Sequence, residues 1–129
     1  MTFARVSLVF TAAAFGGFGV WLTVDPAALS AVDVGVGSAT ARTEIRAFYG
    51  GLELGLAAFF ALAATRPRWF EAGLTAQLLG LGGAGLMRGL SAVLDGGASA
   101  FMGSLVAAEL VGGAIGGVAL LKLRGSKDG

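Results

Sequence analysis

Residues 100–124 read AFMGSLVAAELVGGAIGGVALLKLR, an uncharged run from Ala100 to Leu121 interrupted by one acid, Glu109, and closed by Lys122 and Arg124. A helix needs roughly 20 apolar residues to cross about 30 Å of hydrocarbon at 1.5 Å per residue. This run is long enough, and basic residues at its end suit a membrane surface. The pattern recurs upstream, with apolar stretches from Ala72 to about Leu94, Ala47 to Ala64 and Val6 to Val24. The sequence therefore predicts an all-α protein, an antiparallel four-helix transmembrane bundle forming a single integral membrane domain. Its spans are expected at residues 6–24, 42–64, 70–94 and 99–121.

Composition points the same way. A soluble domain carries roughly a quarter charged residues, whereas here the charged fraction is 13%, the apolar fraction 56%, and 23 of 129 residues are glycine. Folding in water would leave too little polar surface to cover the molecule. A net charge of +1, with no basic stripe or aromatic platform, gives no footprint for nucleic acid. The chain has neither Cys nor His. Disulfides, thiolate chemistry, histidine-ligated haem and ordinary zinc sites are excluded, and no cofactor or metal is called for.

The breaks between spans are marked by specific residues. Asp25-Pro26 stops the first helix, because proline lacks an N–H and disfavours helical geometry in its predecessor. That first apolar run, 19 residues long and followed by further spans, reads as a retained helix rather than a signal peptide. The stretch AALSAVDVGVGSAT is expected to be the one sizeable loop, with Thr40 capping the second helix. Arg66-Pro67 ends that helix, Trp69 marks an interface, Asp95-Gly96-Gly97 is a turn, and Ser99 caps the last helix. Arg5, Arg66, Arg68, Lys122, Arg124 and Lys127 fall on one side. The positive-inside tendency places that side, with both termini, in the cytoplasm of a bacterial-type cell inner membrane.

Several ionisable residues sit where lipid would oppose them. Arg42, Arg46, Tyr49 and Glu53 are spaced four, three and four apart, one stripe of an α-helix. Glu53 lies about 16 Å from Arg42 along it. On the third span Gln77, Leu81, Ala84, Arg88, Ser91 and Asp95 share a face, and Glu109 reaches nearly the depth of Glu53. Two acids and Arg88 are thus expected to meet as a polar junction; if Arg88 pairs with one glutamate, the other stays uncompensated unless Arg46 reaches it, and the Tyr49 hydroxyl either donates to Glu53 or marks an interface as Trp21 and Trp69 do. Charge inside a span is costly and turns inward. The junction reads either as glue between helices, as a polar ligand pocket, or as a proton or ion route; snorkelling of Arg46 and Arg88 is the remaining reading. Packing is expected through GxxxG pairs, Gly51/Gly55, Gly85/Gly89, Gly112/Gly116 and Gly113/Gly117, which let backbones approach closely.

The segment EIRAFYGGLELG from Glu44 to Gly55, the pattern Arg88-x-x-Ser91-x-x-x-Asp95-Gly96 and Glu109 together resemble the DUF4345 family. The resemblance implies a small four-span membrane protein from a family without an assigned chemistry. Family members commonly have glycine before the arginine and proline after the Asp-Gly turn, where this chain has Met87 and Ala98. The resemblance names equivalent polar positions without making them catalytic.

Three functions compete. The first is an accessory or structural membrane protein with no assignable catalytic activity, partnered by membrane lipids and by another membrane protein or a second copy of itself. The second is a binding or transport protein taking a small amphipathic molecule at Arg46, Tyr49, Glu53, Arg88, Ser91, Asp95 and Glu109. The third is an intramembrane acid/base enzyme in which a glutamate exchanges a proton and Arg88 stabilises negative charge. No nucleophile arrangement supports the third, and GFGVW at residues 17–21 lacks the strand-turn-helix context of a dinucleotide site.

Overall fold

The structure, a computed structural model, describes residues 1–97 and 99–126. Ala98 and Lys127, both read above, lie outside the described residues. Four helical stretches are long and apolar enough to cross a membrane: Thr2–Val24, Ala39–Thr65, Pro67–Asp95 and Ala100–Gly125. There is no strand among the described residues, so the all-α, four-span class holds.

Local chemistry sets the breaks. Helix α1 (Thr2–Val24) stops ahead of Asp25, whose Oδ1 accepts the Ala27 N–H at 3.1 Å. That cap and the preset φ of Pro26 start a 3-10 helix over Pro26–Val32. Half of the expected loop is therefore helical, closed by Asp33 in the left-handed region at φ 59°, a conformation aspartate tolerates. Ser38, not Thr40, caps the second span, its Oγ accepting the Ala41 N–H at 3.0 Å. Thr40 already lies inside helix α2 (Ala39–Ile45).

The second span then departs from α geometry. Arg46–Leu52 is a π-helix, followed by α3 (Glu53–Thr65). A π-turn carries more residues than an α-turn, so a stripe read at four-three-four spacing cannot stay aligned through it. Helix α3 ends where Arg66 becomes extended before Pro67, and a short 3-10 turn, Pro67–Trp69, leads into α4 (Phe70–Asp95). Gly96, at φ 71°, closes α4. Ser99 Oγ then accepts the Met102 N–H at 3.1 Å and opens α5 (Ala100–Gly125).

The chain forms two compact units, Met1–Leu8 with the chain from Ala63 onward, and Val9–Leu62. In the first, α4 and α5 are an antiparallel hairpin, as their facing residues show: Leu78 against Gly117, Gly82 against Gly113, Gly85 against Leu110, Gly89 against Val106. At Gly113 the approach is backbone to backbone. A Cβ on Gly113 would stand 2.8 Å from the Gly82 nitrogen. Gln77, 2% exposed, ties three segments: its Oε1 accepts from Ser7 Oγ at 3.0 Å and its Nε2 donates to the Gly112 carbonyl at 2.8 Å. Leu8, Phe70 and Leu74 are fully buried around this point.

Three of the basic residues read as one surface, Arg5, Lys122 and Arg124, make contacts at one end of this unit. Arg5 Nε donates to the Ala64 carbonyl near the end of α3, and its guanidinium lies over the Phe70 ring. Lys122 stands over Phe3. Arg124 donates from Nε and Nη2 to Glu71 Oε1 at 2.9 and 2.7 Å. Arg5 thereby occupies one of the carbonyls that the end of α3 otherwise leaves to water.

In the second unit α1 runs antiparallel to the π-helix and α3. Gly16 faces Ala57, Gly19 faces Leu54, and Gly50 faces Thr23. The Phe15 and Phe60 rings lie 5.5 Å apart. Glycine packing falls partly where expected. Gly85, Gly112, Gly113 and Gly116 all meet a facing helix, but Gly55 meets nothing and Gly51 only its own turn. The π-helix brings Gly50, which belongs to none of the anticipated pairs, against Thr23.

Gly113→Ala should lower stability by about 1–3 kcal/mol, the usual cost of overpacking a tight seam. Gly83→Ala, where an added Cβ meets nothing, should be neutral or stabilising by up to about 1 kcal/mol through helix propensity. Thermal unfolding of both variants in one detergent checks this pair.

Candidate functional site

Helix α4 carries Arg88 at the level where α5 presents Glu109. Two parallel bonds join them: Nε to Oε2 at 2.9 Å and Nη2 to Oε1 at 2.8 Å. This bidentate fork matches the planar guanidinium to both carboxylate oxygens, the strongest form such a pair takes. The side chains are 34% and 16% exposed, so the acid is the more deeply held. Gly85, one turn before Arg88, faces Glu109 and Leu110 closely enough that any side chain there would crowd the pair.

The third guanidinium nitrogen turns the other way. Arg88 Nη1 donates to Met102 Sδ at 3.7 Å, in the first turn of α5. Arg88 thereby forms part of the wall of an open groove of about 440 Å³, with Ser91 and Asp95 following it along α4 and Met87 and Met102 on its apolar sides. The structure brings together Arg88, Ser91, Asp95 and Glu109. The first three line the groove, and the fourth holds Arg88 in place.

Arg46, Tyr49 and Glu53 belong to the second unit. Arg46 Nε donates to the Thr23 carbonyl at 3.0 Å, an acceptor at the C-terminal end of α1 where a cation is favoured. That contact, rather than a glutamate, is what Arg46 serves. Tyr49 is exposed, and its expected hydrogen bond to Glu53 does not form. The two residues are four apart but span the end of the π-helix, so the α-helical alignment that would join them is lost. The Oε2 of Glu53 is buried without a hydrogen-bond partner.

Met102 and Met87 were not read as site residues. The signal was present in the hairpin geometry. Once Asp95-Gly96-Gly97 is a turn and Ser99 a cap, the first turn of α5 must lie beside the last turns of α4, which puts Met102 near Arg88. Gln77 was read only as one member of a face. The Glu71–Arg124 pair was missed because Glu71 sits beside Trp69 at the start of a span, where a lone acid draws no attention.

Removing one member of the Arg88–Glu109 pair should cost about 2–3 kcal/mol, because the other is left desolvated without its partner. The Arg88→Met, Glu109→Leu double variant should lose less than the sum of the single variants by about 1 kcal/mol or more. A double-mutant cycle on unfolding in mild detergent reads the coupling. Glu53→Leu, which removes an unpartnered buried oxygen, should leave stability unchanged or raise it by about 1 kcal/mol. A fall in unfolding temperature would show that Glu53 has a partner in the membrane.

No curated protein and no solved structure matches the chain. The family described as Domain of unknown function (DUF4345) matches residues 3–120, nearly the whole length. With the four apolar helices in place, the chain belongs to the DUF4345 family.

Proposed function

We propose that this is an accessory or structural protein of a bacterial-type cytoplasmic membrane, with both termini on the cytoplasmic side and with a second membrane protein or a second copy of the chain as its partner. The observation that carries this reading is the engagement of Arg88 with Glu109. An arginine whose Nε and Nη2 are both committed to a facing carboxylate selects which faces of two helices meet. Catalysis would need it aimed at a reacting group.

Large apolar side chains lie exposed on these helices, among them Phe10, Leu86, Val93 and Leu121. Lipid covers such a surface without cost, and another span can do so equally well. The terminal basic groups, Arg5, Lys122 and Arg124, supply the charge that favours a cytoplasmic end.

The test exchanges the charges. Arg88→Glu alone should disrupt the helix pair, and Arg88→Glu with Glu109→Arg should restore it. If the pair is structural, gentle extraction of the exchanged variant from membranes brings down the same stoichiometric partner, or the same dimer, as wild type. Restored folding without restored association would assign Arg88 a direct role at a ligand or partner and overturn the structural reading.

A further inference from the structure

The connection between α3 and α4 carries two arginines that the helix-pairing role leaves unused. Arg66 and Arg68 flank Pro67 and are exposed. Among the described residues, neither side chain has a hydrogen bond or an ion pair. Their backbone is nonetheless fixed. The Arg66 N–H donates to the Ala63 carbonyl at 3.3 Å, and the Trp69 N–H donates to the Arg66 carbonyl at 2.8 Å, closing the 3-10 turn Pro67–Trp69. Arg5 braces this connection on both sides, its Nε on the Ala64 carbonyl before it and its guanidinium over the Phe70 ring after it. The two Nη atoms of Arg5 have no acceptor among the described residues. Ala64 to Arg66 and Arg66 to Arg68 are two residues each, at most about 7 Å of backbone. Three arginines thus belong to, or are braced against, one short turn. No carboxylate answers them, because Glu71, the acid in the first turn of α4, is held by Nε and Nη2 of Arg124. Lys122, over the Phe3 ring, adds another cation to this end of the unit. Like charges gathered in this way repel one another, and an anion relieves them.

We infer that this turn binds the phosphodiester of an anionic phospholipid, received by Arg66 and Arg68 with the Nη atoms of Arg5 as the third contact. The connection lies between two membrane spans, the level at which lipid headgroups sit. A guanidinium presents paired N–H groups that match two phosphate oxygens, and it stays charged at any physiological pH. A single phosphate satisfies all three arginines, so the length of the headgroup beyond it sets no condition. Its charge does. A glycerol headgroup leaves the phosphate its full negative charge. Ethanolamine and choline headgroups instead carry an ammonium toward a turn whose nearest acid is already taken by Arg124. Exposed Phe3, Val6 and Leu121, on the helices of the same unit, give the acyl chains an apolar surface, which a soluble anion would leave unused.

The full chain, incorporated into vesicles of equimolar phosphatidylglycerol, phosphatidylethanolamine and phosphatidylcholine, is extracted gently, and its retained lipid is identified by native mass spectrometry. Wild type should retain phosphatidylglycerol over each of the other two by at least about fivefold, the preference that one basic residue near an anionic surface provides. Arg68→Gln should lower that ratio, and Arg66→Gln with Arg68→Gln should bring it close to one. Both side chains are exposed, so the unfolding temperature in lipid-free detergent should stay at the wild-type value. Arg42→Gln removes the same charge from an exposed arginine of the second unit and should leave the ratio as it is in wild type. Equal retention of the three lipids by wild type, or a preference unchanged in the double variant, would overturn the assignment. So would a loss in Arg42→Gln as large as in Arg68→Gln, which would mark a response to net charge alone, or displacement of the lipid by millimolar inorganic phosphate, which would mark a site for a soluble anion. None of these results depends on whether a protein partner is found, so this proposal and the accessory role can fail separately.

Discussion

A carboxamide between apolar helices has to find its hydrogen bonds inside the protein, and Gln77 finds them on two different segments. Its oxygen takes the Ser7 hydroxyl and its nitrogen reaches the Gly112 carbonyl. The second bond is available only because Gly112, Gly113 and Gly116 bring the α5 backbone close to α4; Gly116 itself lies against the Gln77 side chain. Hydrocarbon offers no other partner, so the bond fixes the height of α5 on α4. Everything further along the hairpin inherits that register, including the meeting of Arg88 with Glu109 two to three turns away.

The two polar contacts divide the work. Gln77 is buried and neutral and sets the spacing. Arg88 and Glu109 are charged and partly exposed, so their pairing adds specificity of face more than raw stability. Arg88 also faces outward through Nη1, which makes one residue both a strut and a wall of the groove. A chain with 13% charged residues has few polar groups to distribute. It places four of them, Arg88, Ser91, Asp95 and Glu109, around one helix hairpin.

Much of this was legible in the residues. Apolar length and flanking charge located four spans, because the bilayer sets their length almost independently of packing. Ser99, Asp25-Pro26 and Asp95-Gly96 acted as their side chains and backbones require. That Arg88 would meet a carboxylate was legible because few partners exist at that depth, but which of Glu53 and Glu109 it takes was not. The π-helix at Arg46–Leu52 was not legible. Its Gly50 packs against Thr23, a tertiary contact that residue spacing does not reveal, and the π geometry dissolved the stripe that linked Arg46, Tyr49 and Glu53. The clamp at Gln77 was hidden for a related reason, since its partners are a serine seventy residues away and a backbone carbonyl with no signature of its own. The 3-10 helix after Pro26 was missed because its small residues resemble those of a loop.

The register of α4 on α5 is the claim on which the junction and the groove both stand, and a chain without cysteine allows it to be measured directly. Paired cysteines at Gly89 and Val106, which face each other across the hairpin, should form an intramolecular disulfide under mild oxidation in native membranes. Cysteines at Gly89 and Ala107 should not. Equal cross-linking of the two pairs, or cross-linking between separate chains alone, would contradict the register and with it the placement of Arg88 against Glu109.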